Sequence, residues 1–179
     1  GFSFQNPGPL DMRMDQSNPL SAEVWINNSS KSEIEKVFWE VGEEKQSRRI
    51  AKLICSKRLK NPIKTTEDLS KIILSCKGRP RRKHPATNIF RAIRMIVNSE
   101  IEELKNVLDA AEKIKEHTEI LFLFVGAGAE KDGLVDEVEC RGLSNVKFMK
   151  SQPKELMPEI WSLCNVALVH LKNLSLIHI

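Results

Sequence analysis

The stretch Ile120-Leu-Phe-Leu-Phe-Val-Gly-Ala-Gly128 decides the fold class. Ile120 to Val125 is a continuous apolar run of strand length, and the glycines after it turn the chain sharply. From Glu130 to Arg141 the apolar residues recur at helical spacing, with Leu134, Val135 and Val138 inward and Gly142 as the stop. Val146 to Met149 reads as a second strand, Pro153 to Cys164 as a helix with proline in its first turn, and Val166 to Leu171 as a third strand. Strands alternating with helices of this length predict a parallel β-α-β-α-β sheet, because each helix carries the chain back to start the next strand in the same direction.

Upstream the period is helical throughout. Residues 1–29 are rich in Pro, Asn and Asp and read as loop. A helix is predicted from Ser32, which can cap it, with Ile34, Val37, Phe38 and Val41 on one face and Gly42 as its end. A second, over about 43–60, turns Ile50, Leu53 and Ile54 inward and Arg48, Arg49, Lys52, Lys57 and Lys60 largely outward. A third, over about 66–76 and capped by Thr65 or Thr66, buries Leu69, Ile72, Ile73 and Cys76. Lys77-Gly-Arg-Pro-Arg-Arg-Lys83 then places five cations in seven residues, which predicts an exposed loop. After His84-Pro-Ala-Thr87 an apolar stripe of Phe90, Ile93, Val97, Ile101, Leu104, Leu108 and Ala111 keeps one phase, predicting a single helix to about residue 115.

The 179 residues are 41% hydrophobic and 29% charged, a globular composition. No apolar run is long enough to cross a bilayer, and no secretory signal is visible. Cys55, Cys76, Cys140 and Cys164 form no CxxC pair, which predicts reduced, buried thiols in the cytoplasm and no metal site. Residues 1–103 carry 19 Lys and Arg against 13 Asp and Glu, whereas residues 104–179 carry 9 against 11. A basic first half suits a nucleic-acid partner. The chain opens on Gly1 and stops at Leu174-Ser-Leu-Ile-His-Ile179 without a polar cap, so both ends read as cut.

Three segments carry candidate chemistry, each with a plain structural alternative. Gly8-Pro-Leu-Asp-Met-Arg-Met-Asp15 sets two carboxylates and an arginine in a Pro-containing loop; the alternative is a solvated loop. His84-Pro-Ala-Thr87 feeds a helix bearing Arg91, Arg94 and Asn98 near one face. That corner could seat a phosphate at a helix N-terminus, or simply cap the helix. Gly126-Ala-Gly128 between strand and helix suggests a nucleotide turn, but the third glycine of a dinucleotide fingerprint would fall at Lys131, so an ordinary tight turn is the alternative.

Gly1-Phe-Ser-Phe4, Gly8-Pro-Leu-Asp-Met-Arg-Met14, His84-Pro-Ala-Thr87 and Arg94 to Asn98, in this order and spacing, resemble the RsmH (MraW) family over residues 1 to about 104. Members of that family methylate the exocyclic amine of a cytosine in 16S ribosomal RNA with S-adenosylmethionine. The resemblance implies a small helical insertion between the two motifs, matching the helices at 32–76. It divides residues 1–104 into loop 1–29, insertion 32–76, basic loop 77–83 and helix 87–104. Asn88 and Arg91 stand where the family usually shows Arg and Gln, and Pro7 replaces a frequent Asp. The resemblance places Asp11, Arg13, His84 and Asn98 near the reaction pocket, with Arg94 close by, and assigns none of them as catalytic. Arg81, Arg82 and Lys83, with Arg79, are expected to meet phosphates of the small-subunit RNA. It also places the Gly-rich cofactor loop upstream of Gly1 and a Phe-His-Ser-Leu-Glu-Asp strand after Leu104. The chain by itself is therefore expected to bind no cofactor and to be inactive.

Residues 106–173 resemble a different enzyme. Asn106-Val-Leu-Asp-Ala-Ala-Glu112, Leu121 to Lys131, Gln152-Pro-Lys-Glu155 and Val166 to Lys172 look like the donor half of a GT-B glycosyltransferase of the GT4 type. That resemblance implies a UDP-sugar near Gly126, Gly128, Glu130 and Lys131. The expected architecture is α/β: a helical insertion segment, then a partial Rossmann-like β-α-β-α-β parallel sheet over 105–173, then an artefactual tail over 174–179. The whole reads as a chimeric, truncated product, with a two-domain protein as the alternative.

Overall fold

The computed structural model describes residues 7–77, 84–127, 131–167 and 177–178. The chain is α/β and divides into two compact units, Gly1–Ser99 and Glu100–Ile179. None of the helices among the described residues is long and apolar enough to cross a membrane.

The first unit is helical. Helix α1 spans Ala22–Asn28, inside the stretch expected to be loop. Ser21 caps it by accepting from the Val24 N–H at 3.2 Å, and Ala22, Trp25 and Ile26 face inward at helical spacing. Seven residues give too short a period to stand out against Pro19 and the flanking asparagines. Its C-terminal carbonyls are satisfied from a distance: Arg58 donates to Ile26 O at 2.6 Å and to Ser29 O at 2.7 Å. Helix α2 (Lys31–Glu40) is capped by Ser30 rather than Ser32, with Glu33 N–H donating to Ser30 Oγ at 3.1 Å. The chain turns away from it at Gly42, where a Cβ would lie 2.6 Å from Phe38 O, so only glycine lets the chain pass that close.

Helix α3 spans Ser47–Arg58 and α4 spans Thr66–Lys77. A reciprocal cap starts α4: Asp68 N–H donates to Thr65 Oγ1 and Thr65 N–H to Asp68 Oδ2, both at 3.1 Å. These bonds hold the Asp68 carboxyl below its ordinary value, the Thr65 side chain contributing most. Helix α5 covers Thr87–Val97. Helix α2 packs on α3 and α5, α3 on α4, and α1 on α3 and α5. The core between them holds Ile26, Ile34, Phe38, Ile50, Ile54, Leu69, Ile73, Ile89 and Ile93, all essentially inaccessible to solvent. Each such side chain contributes about 1.5–3 kcal/mol of burial.

The single helix expected from residue 87 to about 115 is two helices. Helix α5 stops at Val97, and α6 runs Glu100–Lys113. Asn98 is the C-cap of α5, and Ser99 follows with φ +51 in the left-handed region that terminates helices. The apolar stripe keeps its phase through the break because the interruption is only two residues long. Side-chain hydrogen bonds from Asn98, described below, supply the reason for the stop.

In the second unit β1 (Phe122–Val125) and β2 (Val146–Met149) pair in parallel, from Phe122 opposite Val146 to Val125 opposite Met149. Helix α7 (Lys131–Arg141) connects them and ends at Gly142, whose φ of +63 closes a left-handed cap. Leu143 N–H donates back to Val138 O at 3.1 Å to complete it. Leu108 and Ala111 of α6, Leu134 and Val138 of α7, Leu143 and Val146 form the buried cluster, with Leu104, Phe122, Phe124 and Phe148 packed against it. The Phe124 and Phe148 rings stack with centroids 5.2 Å apart. Asn145 donates to Ala111 O at 2.9 Å at the end of α6, while its Oδ1 is buried without a partner.

The predicted helix over 153–164 is a 3-10 turn, Lys154–Leu156, followed by α8, Met157–Ser162. The expected third parallel strand is corrected. Its described part, β3 (Val166–Ala167), pairs antiparallel with β4 (Ile177–His178) and not with the β1–β2 pair. The remainder of the expected strand lies outside the described residues.

Candidate functional site

Residues 8–18 leave the helical scaffold as an irregular loop whose backbone groups nonetheless find partners. Leu10 N–H donates to Lys64 O at 2.9 Å, Thr66 N–H to Gly8 O at 3.0 Å, and Pro9 forms a bridge with Thr65. At the start of α1, Ala22 N–H donates to Asp11 O at 2.6 Å and Glu23 N–H to Leu10 O at 2.7 Å. Leu10 and Met12 are each 1% exposed, so the apolar residues of the motif plug the core and its charged residues stay partly accessible. Met12 does this with φ +61, a strained value for a side chain of its size.

Asp11 and Arg13 form a bidentate pair: Nε donates to Oδ1 at 2.7 Å and Nη2 to Oδ2 at 2.9 Å. Arg13 also donates through Nη1 to Gln16 O at 3.0 Å and Asn18 O at 2.8 Å, and through Nη2 to Gln16 Oε1 at 3.3 Å. Every guanidinium N–H is thereby used inside the loop. The pair holds the Asp11 carboxyl below its ordinary range and raises Arg13 above its own, each chiefly through that side-chain hydrogen bond. Arg13 therefore shapes the loop instead of presenting a free fork to a phosphate.

Asn98 locks the loop from α5. Its Oδ1 accepts from Met14 N–H at 2.8 Å, and its Nδ2 donates to Met12 O at 2.9 Å and to Arg94 O at 2.8 Å. Asn18 adds a second tie, donating to Val97 O at 2.9 Å. The carboxamide of Asn98 thus reads both sides of Arg13 and diverts the last turn of α5, ending the helix. Asn18 was not singled out by sequence; Asn-Pro in a loop is common, and nothing local distinguishes one that reaches a helix end.

His84 sits at the opposite end of α5, about 16 Å of helix away from Asn98. Its Nδ1 accepts from Ala86 N–H at 3.2 Å and its carbonyl from Thr87 N–H at 3.0 Å, so it caps the helix start. The structure therefore gathers Asp11, Arg13 and Asn98 with the Arg94 carbonyl, and leaves His84 at the other end of the helix. Arg91 pairs with Glu43 at 3.1 Å. Lys77, expected among the exposed cations, is half-buried: it pairs with the buried Glu44 and donates to Pro85 O at 3.1 Å, joining the two ends of the basic segment. Arg81, Arg82 and Lys83 lie outside the described residues, as do Gly128 and Glu130.

In the second unit Gly126 N–H donates to Met149 O at 3.2 Å, and a Cβ there would meet nothing within 4 Å. Lys131 opens α7 and is half-buried. A cofactor cradle uses glycine where ligand or backbone comes too close for a side chain. The space beside Gly126 is open, and the polar groups of the Asp11 loop are engaged with one another.

The MraW methylase family matches residues 1–125 of this chain. The chain is 49% identical over 117 residues to a ribosomal RNA small subunit methyltransferase H of Stenotrophomonas maltophilia (strain K279a), covering 64% of this chain and 36% of that protein. It is 44% identical over 115 residues to the protein of that name from Maricaulis maris (strain MCS10), covering 64% and 34%. A third, from Koribacter versatilis (strain Ellin345), is 49% identical over 113 residues, covering 60% and 35%. The chain thus spans about a third of the length of these curated relatives. The family match runs beyond residue 104 through α6 and β1, which the second resemblance had claimed. With the braced Gly8–Met14 loop and the His84 corner inside a match over most of its length, the chain belongs to the MraW methylase family.

Proposed function

We propose that this chain is the substrate-side segment of an S-adenosylmethionine-dependent cytosine-N4 methyltransferase of 16S ribosomal RNA, working in the cytoplasm. The observation that carries the reading is the brace of Asn98 on Met12 and Met14, which fixes the family's loop motif against the helix bearing its second motif. In this reading the segment contributes a rigid loop and a basic helical insertion to RNA recognition, and the methyl donor is held elsewhere in the intact enzyme. No residue here is assigned to proton or methyl transfer. A glycosyltransferase reading of the second unit rests on the sequence resemblance over residues 106–173 and the β1–α7–β2 crossover, and the relatives named above carry no such description.

Two measurements test the proposal. Titration calorimetry with S-adenosylmethionine should give no heat of binding; micromolar affinity would show that the donor site lies within the chain. RNA affinity should fall with salt and fall again on changing Arg81, Arg82 and Lys83 to Ala, roughly uniformly across RNA sequences. Affinity indifferent to salt would overturn the RNA reading.

A further inference from the structure

We propose that the outward face of α3, carrying Arg48, Arg49 and Lys52 with Lys45 just before the helix, docks on RNA backbone phosphates. This rests on the RNA-substrate reading above and adds a surface remote in sequence from both family motifs. Three observations carry it.

The first is orientation. Ser47, Ile50, Ala51 and Ile54 are buried against the helical core, and this fixes the rotation of α3 about its axis. Arg48, Arg49 and Lys52, at i, i+1 and i+4, then fall on the solvent side and are exposed, as are Lys45, Lys57 and Lys60. Arg58, by contrast, is turned inward to the end of α1.

The second is the absence of neutralising partners. Elsewhere in this unit several surface cations pair with carboxylates, Lys36 with Glu40, Lys71 with Glu67 and Arg91 with Glu43, while Lys31 and Lys64 stand singly among the described residues. Helix α3 contains no acidic residue. Among the described residues neither Lys45 nor any of Arg48, Arg49 and Lys52 makes an ion pair or a side-chain hydrogen bond.

The third is placement against the helix dipole. Arg48 and Arg49 occupy the first turn, where the backbone already presents partial positive charge; that turn holds no acidic residue, and the nearby Glu44 carboxylate accepts from the Gln46 N–H just before it, at 3.0 Å. Arg48 and Lys52 are also like charges at i, i+4, which is unfavourable in isolation. A face kept merely soluble is served by mixed charge. One-signed charge at the wrong end of a helix disfavours folding and favours a polyanion. From Arg48 to Lys52 the face rises about 6 Å along the helix, enough to reach neighbouring phosphates on a strand.

The test is fluorescence anisotropy of the full 179-residue chain with a labelled RNA hairpin across 50–200 mM KCl, with thermal melting of the same samples. The triple variant Arg48→Glu, Arg49→Glu, Lys52→Glu is expected to bind at least about tenfold more weakly at low salt. The magnitude of its log–log salt slope should fall by about 2–3, close to one unit per lost phosphate contact. Its melting temperature should hold or rise, since acidic residues suit a helix N-terminus; a merely structural role would lower it. The gentler Arg48→Gln, Arg49→Gln, Lys52→Gln variant should move binding in the same direction by less. Reversing the exposed Lys105, Lys113 and Lys115 controls for net charge and should change affinity less than about threefold. Equal losses from both charge-reversed triples, or unchanged binding in the α3 variants, would overturn the α3 surface and leave the RNA reading standing. A wild-type chain that binds no RNA would overturn both. Displacement of the RNA by polyglutamate at equal charge concentration would assign the face to an acidic protein instead.

Discussion

The Gly8–Asn18 loop and the Gly126 turn are both irregular segments on which sequence motifs fall, and they are built in opposite ways. The first is closed by side chains from far along the chain: Asn98 spans 84 residues to Met14 and 86 to Met12. The second is a continuation of the strand ladder, with Gly126 N–H on Met149 O and open space where a side chain would go. One motif is a constrained object whose geometry depends on a distant helix; the other is a turn that many sequences could make. The difference teaches that only the first has the internal rigidity a recognition loop needs.

The most direct way to break the contrast is at Asn98. Asn98→Ala would leave the Met12 carbonyl and the Met14 N–H, both near or inside the core, without partners. The expected loss is about 2–4 kcal/mol from two unsatisfied groups, read as a lowered denaturation midpoint with an unchanged slope. Amide exchange at Met14 should accelerate more than at the core amides of α4. Uniform acceleration would mean that Asn98 acts only as a helix terminator.

Arg13→Lys is expected to cost less, read as a smaller drop in the denaturation midpoint. Lysine keeps the charge but cannot make the bidentate bond to Asp11 and still reach Gln16 O and Asn18 O. Acid should weaken the same pair. The folded Asp11 carboxyl holds its proton less tightly than the unfolded one, because the Arg13 guanidinium stabilises the carboxylate. Protonation therefore favours the unfolded chain. The stabilisation is complete above the ordinary value of 3.8 and is lost as pH falls from there through the lower folded value. Asp11→Asn should be less stable at neutral pH and show a flatter stability profile below pH 4. An unchanged profile would mean that the pair is too solvated to matter.

Much of this arrangement was legible in the sequence, for physical reasons that differ by element. Helices α2 to α5 follow from apolar spacing, because burial of one face dominates their stability and leaves a periodic trace. The Gly8–Met14 and His84–Thr87 motifs point to the family without any structure. Helix α1 was not legible, since seven residues hold too few apolar positions to establish a period. The break at Asn98–Ser99 was hidden because hydrophobic phase survives a two-residue interruption, while its cause is a contact with residues 12 and 14. Lys77 shows the same limit. Charge density predicted exposure, but a single buried carboxylate, Glu44, brings it inward. Local pattern reports what a residue costs to bury and carries no sign of a partner more than thirty positions away.

The smallest expected effect is the sharpest test of the second half of the comparison. Gly126→Ala adds a Cβ that meets no atom within 4 Å, and the backbone there is outside the left-handed region that only glycine favours. If the turn is ordinary, alanine should be neutral or stabilise the chain by up to about 1 kcal/mol, because it narrows the unfolded ensemble without straining the folded one. Gly42→Ala provides the opposite reference, since its Cβ would lie 2.6 Å from a backbone oxygen and must displace the chain. A neutral Gly126→Ala accompanied by an unchanged response to added UDP would leave the glycine with no role beyond the turn. A variant equally stable but losing UDP-induced chemical-shift changes at Gly126 to Lys131 would instead mean that backbone space, not backbone conformation, is what the glycine preserves. Stability alone cannot separate these two outcomes, because an empty approach path adds nothing to folding free energy; the paired ligand titration can.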